Sequence, residues 1–296
     1  MAEEENVAAV LHGKRDIRVE RSAPPTLAAH EVLLEIKAVG LCGSDFSYWK
    51  DATIAGMDIP FEGAARCQDM CFAGVMGHEA SGRVARVGSA VQGVAVGDRV
   101  AIEPSITCGA CRHCLGGRYN LCAETKYLGS FMSDWPGALR KFISHPASRC
   151  YVLPESIGYE EAALFEPLGV ALHAVRRAGV KMGDRVLVTG AGPIGLLAML
   201  AARCAGATQI AVADINAQRL ALAAGLEGGA DQTLLLPAQA AELEQDSYDV
   251  ALECTGVASW CAPPAPRPQR LAPLRWTLSC ALFVAVVAAL ADLHSC

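Results

Sequence analysis

The pattern of apolar and polar positions changes near residue 155. Before that point, short runs rich in β-branched residues are separated by Gly and Pro, as in 31–39, 80–87 and 98–102. Such runs predict β-strands joined by irregular loops. Residues 1–155 are therefore predicted to form a β-rich domain.

After residue 155 the apolar positions take on helical spacing, and then strands and helices alternate. Residues 160–178 predict a helix that begins with two acidic residues. Further elements are predicted as strands at 185–189, 209–214, 233–236 and 248–253, with helices at 194–204 and 217–224. This alternation is typical of a doubly wound parallel sheet, so residues 156–256 are predicted to form an α/β domain.

The last part of the chain, residues 257–296, follows neither pattern. A stretch rich in Pro, Ala and Arg leads into an uncharged, mostly apolar run at 276–291. A tail anchor is one interpretation of that run, but it is shorter than the roughly 20 residues that span a bilayer. We therefore expect a divergent tail and no membrane partner.

Composition and charge narrow the functional classes. With 296 residues, of which 52% are apolar and 19% charged, the chain is long enough for two globular domains. The net charge of −6 and the lack of a Lys/Arg stripe exclude nucleic acid as a partner. The acidic N-terminus has no apolar core of a secretory signal, which predicts a cytoplasmic protein. Its thirteen cysteines are then expected to be metal ligands or buried thiols rather than disulfides.

Four cysteines lie close together in the β-rich part. Cys108, Cys111, Cys114 and Cys122 are set among glycines at a spacing that can close on one tetrahedral ion. A shell of four thiolates leaves no position open to substrate, so this pattern predicts a structural zinc site. Buried or redox-active thiols are the alternative interpretation.

A glycine-rich turn lies between the predicted strand 185–189 and the helix that follows it. Gly190 permits a tight turn, Gly192 allows a pyrophosphate to approach the backbone, and Gly195 allows the helix to pack closely. Asp214, at the end of the next strand, would accept hydrogen bonds from a ribose and repel a 2′-phosphate. The pattern favours NAD binding over NADP binding and over an ordinary glycine-rich turn.

A dispersed set of residues offers a second metal site. Cys42, His78, Glu79 and Glu166 supply a thiolate, an imidazole and two carboxylates, which suit zinc with one open position. Taken singly, the cysteine is typical of a core and the His-Glu pair of a surface. Spacing alone does not decide between these interpretations.

Several motifs between about residues 7 and 256 resemble the sorbitol (L-iditol, xylitol) dehydrogenase family of zinc-dependent medium-chain dehydrogenases. The matching runs are GLCGSD, GHEASGRV, VGDRVAIEP, the cysteine segment, FEPLGVALHA, VLVTGAGPIGLLAMLAA and ECTG. The resemblance implies a GroES-like catalytic domain and a Rossmann domain with the active site in the cleft between them. It also implies oxidation of a secondary alcohol of a small polyol to a ketose, with hydride transfer to NAD.

The resemblance also implies roles for individual residues. Cys42, His78 and Glu79 match catalytic zinc ligands, and Glu166 matches the carboxylate beside the metal, where it also contacts substrate. Ser44 matches a proton relay and Tyr48 a substrate contact, although Ser47 stands where relatives often have His. The residues matched to NAD contacts are Gly190, Gly192, Pro193, Ile194, Gly195, Asp214 and Arg219.

Two regions depart from the family pattern. The segment 61–75 is longer than usual, and we interpret its Cys67 and Cys71 as incidental thiols. After Gly256 the match ends, which predicts an incomplete Rossmann sheet whose fourth strand is an uncovered edge.

Alternative functions therefore stay open. One is a truncated, non-catalytic zinc-binding fragment, and the others are related L-idonate, butanediol or threonine dehydrogenases. A homo-oligomer is expected if the chain is complete.

Overall fold

A computed structural model describes residues 5–54, 57–58, 74–130, 135–239, 247–256 and 275–278. The chain divides into two compact units, Met1–Glu166 and Pro167–Cys296. The predicted boundary after residue 155 stays a prediction. Cys67 and Cys71 lie outside the described residues.

The first unit is built mainly from strands. Its elements are β1 (Asn6–Gly13), β2 (Asp16–Ser22), β3 (Glu31–Gly40), α1 (Gly43–Asp51), β4 (Thr53–Ile54), β5 (Met57–Asp58), β6 (Glu79–Val87), β7 (Arg99–Ile102), β8 (Ser105–Ile106), α2 (Arg112–Leu115), β9 (Lys126–Tyr127), β10 (Phe142–Pro146), β11 (Cys150–Val152) and α3 (Tyr159–Ala163). The predicted strands at 31–39, 80–87 and 98–102 are confirmed as β3, β6 and β7.

An antiparallel sheet of order β10-β3-β6-β7-β11 organises this unit. Val32 and Leu34 alternate along β3 toward one face and are fully buried, together with Val84, Val100 and Ile143 from neighbouring strands. The alternation of apolar positions thus covers one face of the sheet, as the sequence pattern requires. The sheet provides the rigid frame on which the candidate site is built.

His145 is an unusual polar residue in this core. Its side chain is fully buried, and its Nε2 lies 2.8 Å from the carbonyl oxygen of Glu103. Among the residues that the structure describes, Nδ1 has no hydrogen-bond partner. Burial lowers the pKa of His145 from its ordinary value of 6.5 to about 4, so the imidazole is neutral in the folded protein.

This lowered pKa predicts a specific acid sensitivity. Because the unfolded chain binds the proton more tightly, stability is lost as the pH falls from 6.5 toward about 4. The loss amounts to roughly 3 kcal/mol in the free energy of unfolding. His145→Gln keeps an N–H donor for Glu103 and cannot titrate. Urea unfolding near pH 7 and near pH 4 should show a smaller loss in the variant, and equal losses would contradict this role.

The second unit is an α/β layer structure. Its elements are α4 (Phe165–Ala178), which begins at the end of the first unit, β12 (Arg185–Thr189), α5 (Pro193–Cys204), β13 (Gln209–Asp214), α6 (Ala217–Gly225), β14 (Gln232–Leu235), β15 (Val250–Glu253) and β16 (Arg275–Leu278). The strands form a parallel sheet of order β14-β13-β12-β15-β16. Val186, Val188, Val212 and Leu252 are buried against Met199 of α5. The predicted doubly wound sheet is confirmed.

The predicted helix at 160–178 is in fact two helices, α3 and α4, separated at Leu164. Pro167 lies in the first turn of α4 and has no backbone N–H to donate to the carbonyl of Ala163. A continuous helix would lose that hydrogen bond, whereas a new helix start tolerates proline. The spacing of apolar residues correctly predicted helical structure in this range, but it did not predict the break that accompanies Pro167.

The prediction that the fourth strand of the Rossmann sheet is an uncovered edge is wrong. β16 pairs in parallel with β15, so that Val250 lies opposite Arg275 and Glu253 opposite Leu278. β16 has only four residues and follows a Pro-rich stretch, so its sequence shows too little periodicity to predict a strand. Its pairing nevertheless provides hydrogen-bond partners for the backbone of β15. Among the described residues, no strand pairs with the outer side of β16.

None of the helices in the described ranges is long and apolar enough to cross a membrane. The apolar run predicted at 276–291 lies mostly outside these ranges.

Candidate active site and metal centres

Cys42, His78 and Glu79 come together in the first unit. One ligand atom from each residue lies within 4.8 Å of the others. Cys42 is the residue before α1, and His78 immediately precedes β6, which Glu79 begins. Because Gly40 at the end of β3 pairs with Glu79, the two segments meet at one edge of the sheet. The sheet register therefore explains how residues so far apart in sequence form one cluster.

Gly40 makes room for the Glu79 carboxylate. A Cβ atom at position 40 would lie 2.2 Å from Oε2 of Glu79 and 3.0 Å from its Cβ. A side chain there would displace the carboxylate from the cluster. The close approach of Glu79 therefore explains the glycine at position 40.

Asp45 orients the cluster and was given no role by the sequence analysis. Its Oδ2 accepts a hydrogen bond from the backbone N–H of Cys42 at 3.0 Å, and its Oδ1 accepts one from Gly77 at 3.2 Å. Oδ1 also lies 3.9 Å from Nδ1 of His78. An acidic residue three positions after a helix N-cap is the signal that could have identified it. The buried Asp45 carboxylate thereby fixes the backbone beside both the cysteine and the histidine.

The cluster concentrates anionic groups in a buried place. Burial lowers the pKa of His78, but Cys42, Asp45 and Glu166 outweigh it and raise that pKa to about 9. Burial and the nearby Glu166 raise the pKa of Glu79. A divalent cation would neutralise these groups, and its binding would release protons. A thiolate, an imidazole and a carboxylate are ligands that suit zinc, so this donor set fits the predicted metal.

Glu166, in the first turn of α4, completes this region together with Tyr127. The Tyr127 hydroxyl donates a hydrogen bond to Oε1 of Glu166 at 2.6 Å. The ring of Tyr127 lies 5.5 Å from the ring of His78, in an edge-on arrangement. Burial and the Glu166 charge raise the pKa of Tyr127 well above its ordinary value, so it is a hydrogen-bond donor. Tyr127 was missed because only the pairing of β9 with β8 brings it here.

The remaining residues predicted for this site all lie on α1. Ser44 is half-buried, and Tyr48 is buried with 3% of its surface exposed. Ser47 donates a hydrogen bond to the carbonyl of Gly43 at 3.1 Å. The proton relay through Ser44 and the substrate contact of Tyr48 stay predictions.

The four cysteines of the predicted structural site converge as the spacing requires. Their Sγ atoms lie within 4.8 Å of one another, at 3.5 Å for Cys111–Cys114, 3.5 Å for Cys108–Cys122 and 3.9 Å for Cys108–Cys114. A zinc ion with sulfur ligands at about 2.3 Å gives edges of about 3.8 Å in a regular tetrahedron. The thiol arrangement therefore fits a zinc ion with no position open to substrate.

In the second unit, the glycine-rich turn has the geometry of a dinucleotide-binding loop. Gly190 has a φ of +94°, which favours glycine. A Cβ at Gly195 would lie 1.8 Å from the carbonyl oxygen of Gly190, whereas one at Gly192 would meet no atom within 4 Å. The close contact at Gly195 shows that α5 packs tightly on the loop. The absence of any contact at Gly192 leaves space beside the helix N-terminus. That space and the exposed N-terminus fit a bound pyrophosphate.

Asp214 ends β13 directly below this loop. Its Oδ2 accepts a hydrogen bond from the N–H of Ala191 at 2.6 Å, and its Oδ1 accepts one from Asn216 at 2.8 Å. The carboxylate is therefore fixed at the end of the strand, where the predicted ribose contact requires it. The other predicted NAD contacts lie on the following helices, with Pro193 and Arg219 exposed and Ile194 half-buried.

Comparison with known proteins finds related dehydrogenases. Residues 28–155 match the family model of the alcohol dehydrogenase GroES-like domain. The chain is 42% identical to a sorbitol dehydrogenase of Bos taurus over 86% of this chain and 70% of that protein. It is 39% identical to an L-idonate 5-dehydrogenase of Vitis vinifera, with coverage of 86% and 68%.

A solved structure extends the similarity to the fold. The L-idonate 5-dehydrogenase of Escherichia coli superposes with a TM-score of 0.74 at 30% identity, covering 86% of this chain and 70% of that one. The clustered residues in each unit and the similarity to these relatives support the same family assignment. The chain belongs to the zinc-dependent medium-chain dehydrogenase family that includes the sorbitol dehydrogenases.

Proposed function

We propose that this protein oxidises a secondary alcohol of a small polyol, of the sorbitol or xylitol type, to a ketose with NAD as the hydride acceptor. The observation that carries the proposal is the convergence of Cys42, His78 and Glu79, with Glu166 beside them. The preference for polyols is supported by the sorbitol dehydrogenases among its relatives.

The residues of the site would have different roles in this reaction. A zinc ion held by Cys42, His78 and Glu79 would supply the Lewis acidity that makes the substrate hydroxyl acidic. Glu166 would accept a hydrogen bond from a substrate hydroxyl and so orient the reacting carbon. The hydroxyl loses a proton toward solvent, with Ser44 as the proposed relay. The same carbon loses a hydride, which gives a ketone, NADH and a proton.

In the second unit, Asp214 and the loop from Gly190 to Gly195 would hold the cofactor. Asp214 would accept hydrogen bonds from the adenosine ribose, and its charge would disfavour a 2′-phosphate. The preference for NAD rests on this residue.

A cytoplasmic location is part of the proposal. None of the eight cysteines among the described residues is in a disulfide, which suits a reducing compartment. A homo-oligomeric state stays a prediction.

NAD reduction by the purified, zinc-loaded full chain tests the proposal. We expect turnover with sorbitol or xylitol that exceeds turnover with L-idonate, 2,3-butanediol and threonine. Removal of zinc with a chelator should abolish the activity, and added zinc should restore it, because the metal supplies several kcal/mol of catalysis.

Two other outcomes are informative. A preference for L-idonate, butanediol or threonine would move the protein to another substrate class within the same family. Silence toward every substrate from a folded, zinc-loaded chain that still binds NAD would contradict the enzymatic function and favour a non-catalytic zinc-binding protein.

A further inference from the structure

We infer that Tyr127 is a positioning residue for Glu166, and that its hydroxyl fixes the carboxylate orientation that productive polyol binding requires. The inference rests on the proposed function, in which Glu166 orients the substrate. It adds a residue that neither the sequence motifs nor the spacing of the ligands identifies.

The hydrogen bond itself is short and directional. The Tyr127 hydroxyl lies 2.6 Å from Oε1 of Glu166, and hydrogen bonds to a charged acceptor are among the stronger ones in proteins. One carboxylate oxygen is thereby committed to the tyrosine. This contact restricts rotation of the carboxylate about its terminal torsion, which is otherwise broad.

The position of Glu166 explains why it needs such a contact. Glu166 is half-buried in the first turn of α4. A glutamate side chain has three rotatable bonds, and its terminal torsion is broad unless a contact holds it. The Tyr127 hydroxyl supplies such a contact at Oε1.

Tyr127 can hold Glu166 because its own backbone is fixed on both sides. Tyr127 pairs with Ser105 in the short β8–β9 ribbon, and the four cysteines lie in the segment that this ribbon closes. Directly after it, the fully buried Leu128 donates its N–H to the carbonyl of Pro104 at 3.0 Å. The ring of Tyr127 also lies 5.5 Å from the ring of His78 in a T-shaped arrangement. The cysteine lobe (residues 108–122), the ribbon and the core therefore fix the position of the Tyr127 hydroxyl, and the hydroxyl in turn fixes the Glu166 carboxylate.

Tyr127→Phe removes the hydroxyl and keeps the ring. We expect kcat/KM for the polyol to fall about tenfold to a hundredfold, the range given by a hydrogen bond to a charged group. The NAD dissociation constant and the zinc content should not change. In the Glu166→Ala background, Tyr127→Phe should have little further effect, because the carboxylate through which it acts is gone. Independent, additive effects in this cycle would overturn the inference.

Tyr151→Phe is a matched control. The Tyr151 hydroxyl also donates to a carboxylate, Oε2 of Glu103 at 2.9 Å, but this pair lies outside the metal-ligand cluster. We expect wild-type kcat/KM from Tyr151→Phe. A loss equal to that of Tyr127→Phe would show a general effect of tyrosine–carboxylate bonds on stability and would contradict the positioning role.

A measurement without turnover separates this inference from the proposed function. In the cobalt-substituted protein, the visible absorption of the catalytic-site ion reports on its surroundings. Tyr127→Phe should shift that spectrum, and Tyr151→Phe should not. A shifted spectrum in a protein that oxidises no polyol would keep the inference and reject the proposed function. An unchanged spectrum would overturn the inference, whether or not the wild type turns over.

Discussion

Cys42→Ala is expected to lower kcat by about a thousandfold or more, because the Lewis acidity of the metal contributes several kcal/mol. Among the described residues, Cys42 supplies the one thiol of the cluster with His78 and Glu79. The two remaining ligands would hold zinc too weakly to keep it through purification. The zinc content should therefore fall from about two ions per chain to about one, the ion held by the cysteine lobe. Metal analysis and NAD reduction measure both effects.

Two controls make this prediction specific. Cys204→Ala removes an exposed thiol on α5 and should leave the zinc content and turnover unchanged. NAD binding to Cys42→Ala, followed by fluorescence, should match the wild type because the glycine-rich loop lies in the other unit. A Cys42→Ala protein that keeps two zinc ions and full turnover would show that the cluster is not the catalytic metal site.

Local patterns determined most of the fold. β12 and β13 lie where the runs of buried β-branched residues predicted them, because a strand buried on both faces needs an unbroken apolar run. The predictions failed where one residue or one pairing overrode the pattern. Pro167 divided a continuous helical stripe into α3 and α4, and the pairing of β16 with β15 arose in a segment with no clear periodicity.

The candidate sites also differ in how far local sequence could predict them. Cys108 and its three partners are close in sequence, so spacing alone predicted that they cluster, and their Sγ atoms lie within 4.8 Å of one another. Cys42 and Glu79 meet only because β3 and β6 are paired in a particular register, and for them the family resemblance replaced a derivation from spacing. Asp45 and Tyr127 act through hydrogen bonds to other site residues. Such contacts leave almost no trace in one sequence, since their partners are known only once the fold is known.

The glycine-rich loop offers the second large effect. Gly195→Ala would place a methyl group 1.8 Å from the carbonyl oxygen of Gly190, which is backbone and can yield only if the loop or α5 shifts. Overpacking of this kind costs about 1–3 kcal/mol. Because the loop that moves is the one that would hold the pyrophosphate, the NAD dissociation constant should rise about tenfold to a hundredfold.

Two neighbouring substitutions separate packing from cofactor contact in this loop. Gly192→Ala meets no atom within 4 Å, so Tm should stay at the wild-type value while NAD binding still weakens, because the methyl group occupies the space left for the pyrophosphate. Gly225→Ala also meets no atom within 4 Å but lies at the end of α6, so NAD binding should stay unchanged and Tm should not fall. Calorimetric titration with NAD and thermal unfolding distinguish the three variants. Since only Gly195 should lose both Tm and affinity, wild-type NAD binding by Gly195→Ala and Gly192→Ala would place the cofactor elsewhere and remove the basis for NAD as the hydride acceptor.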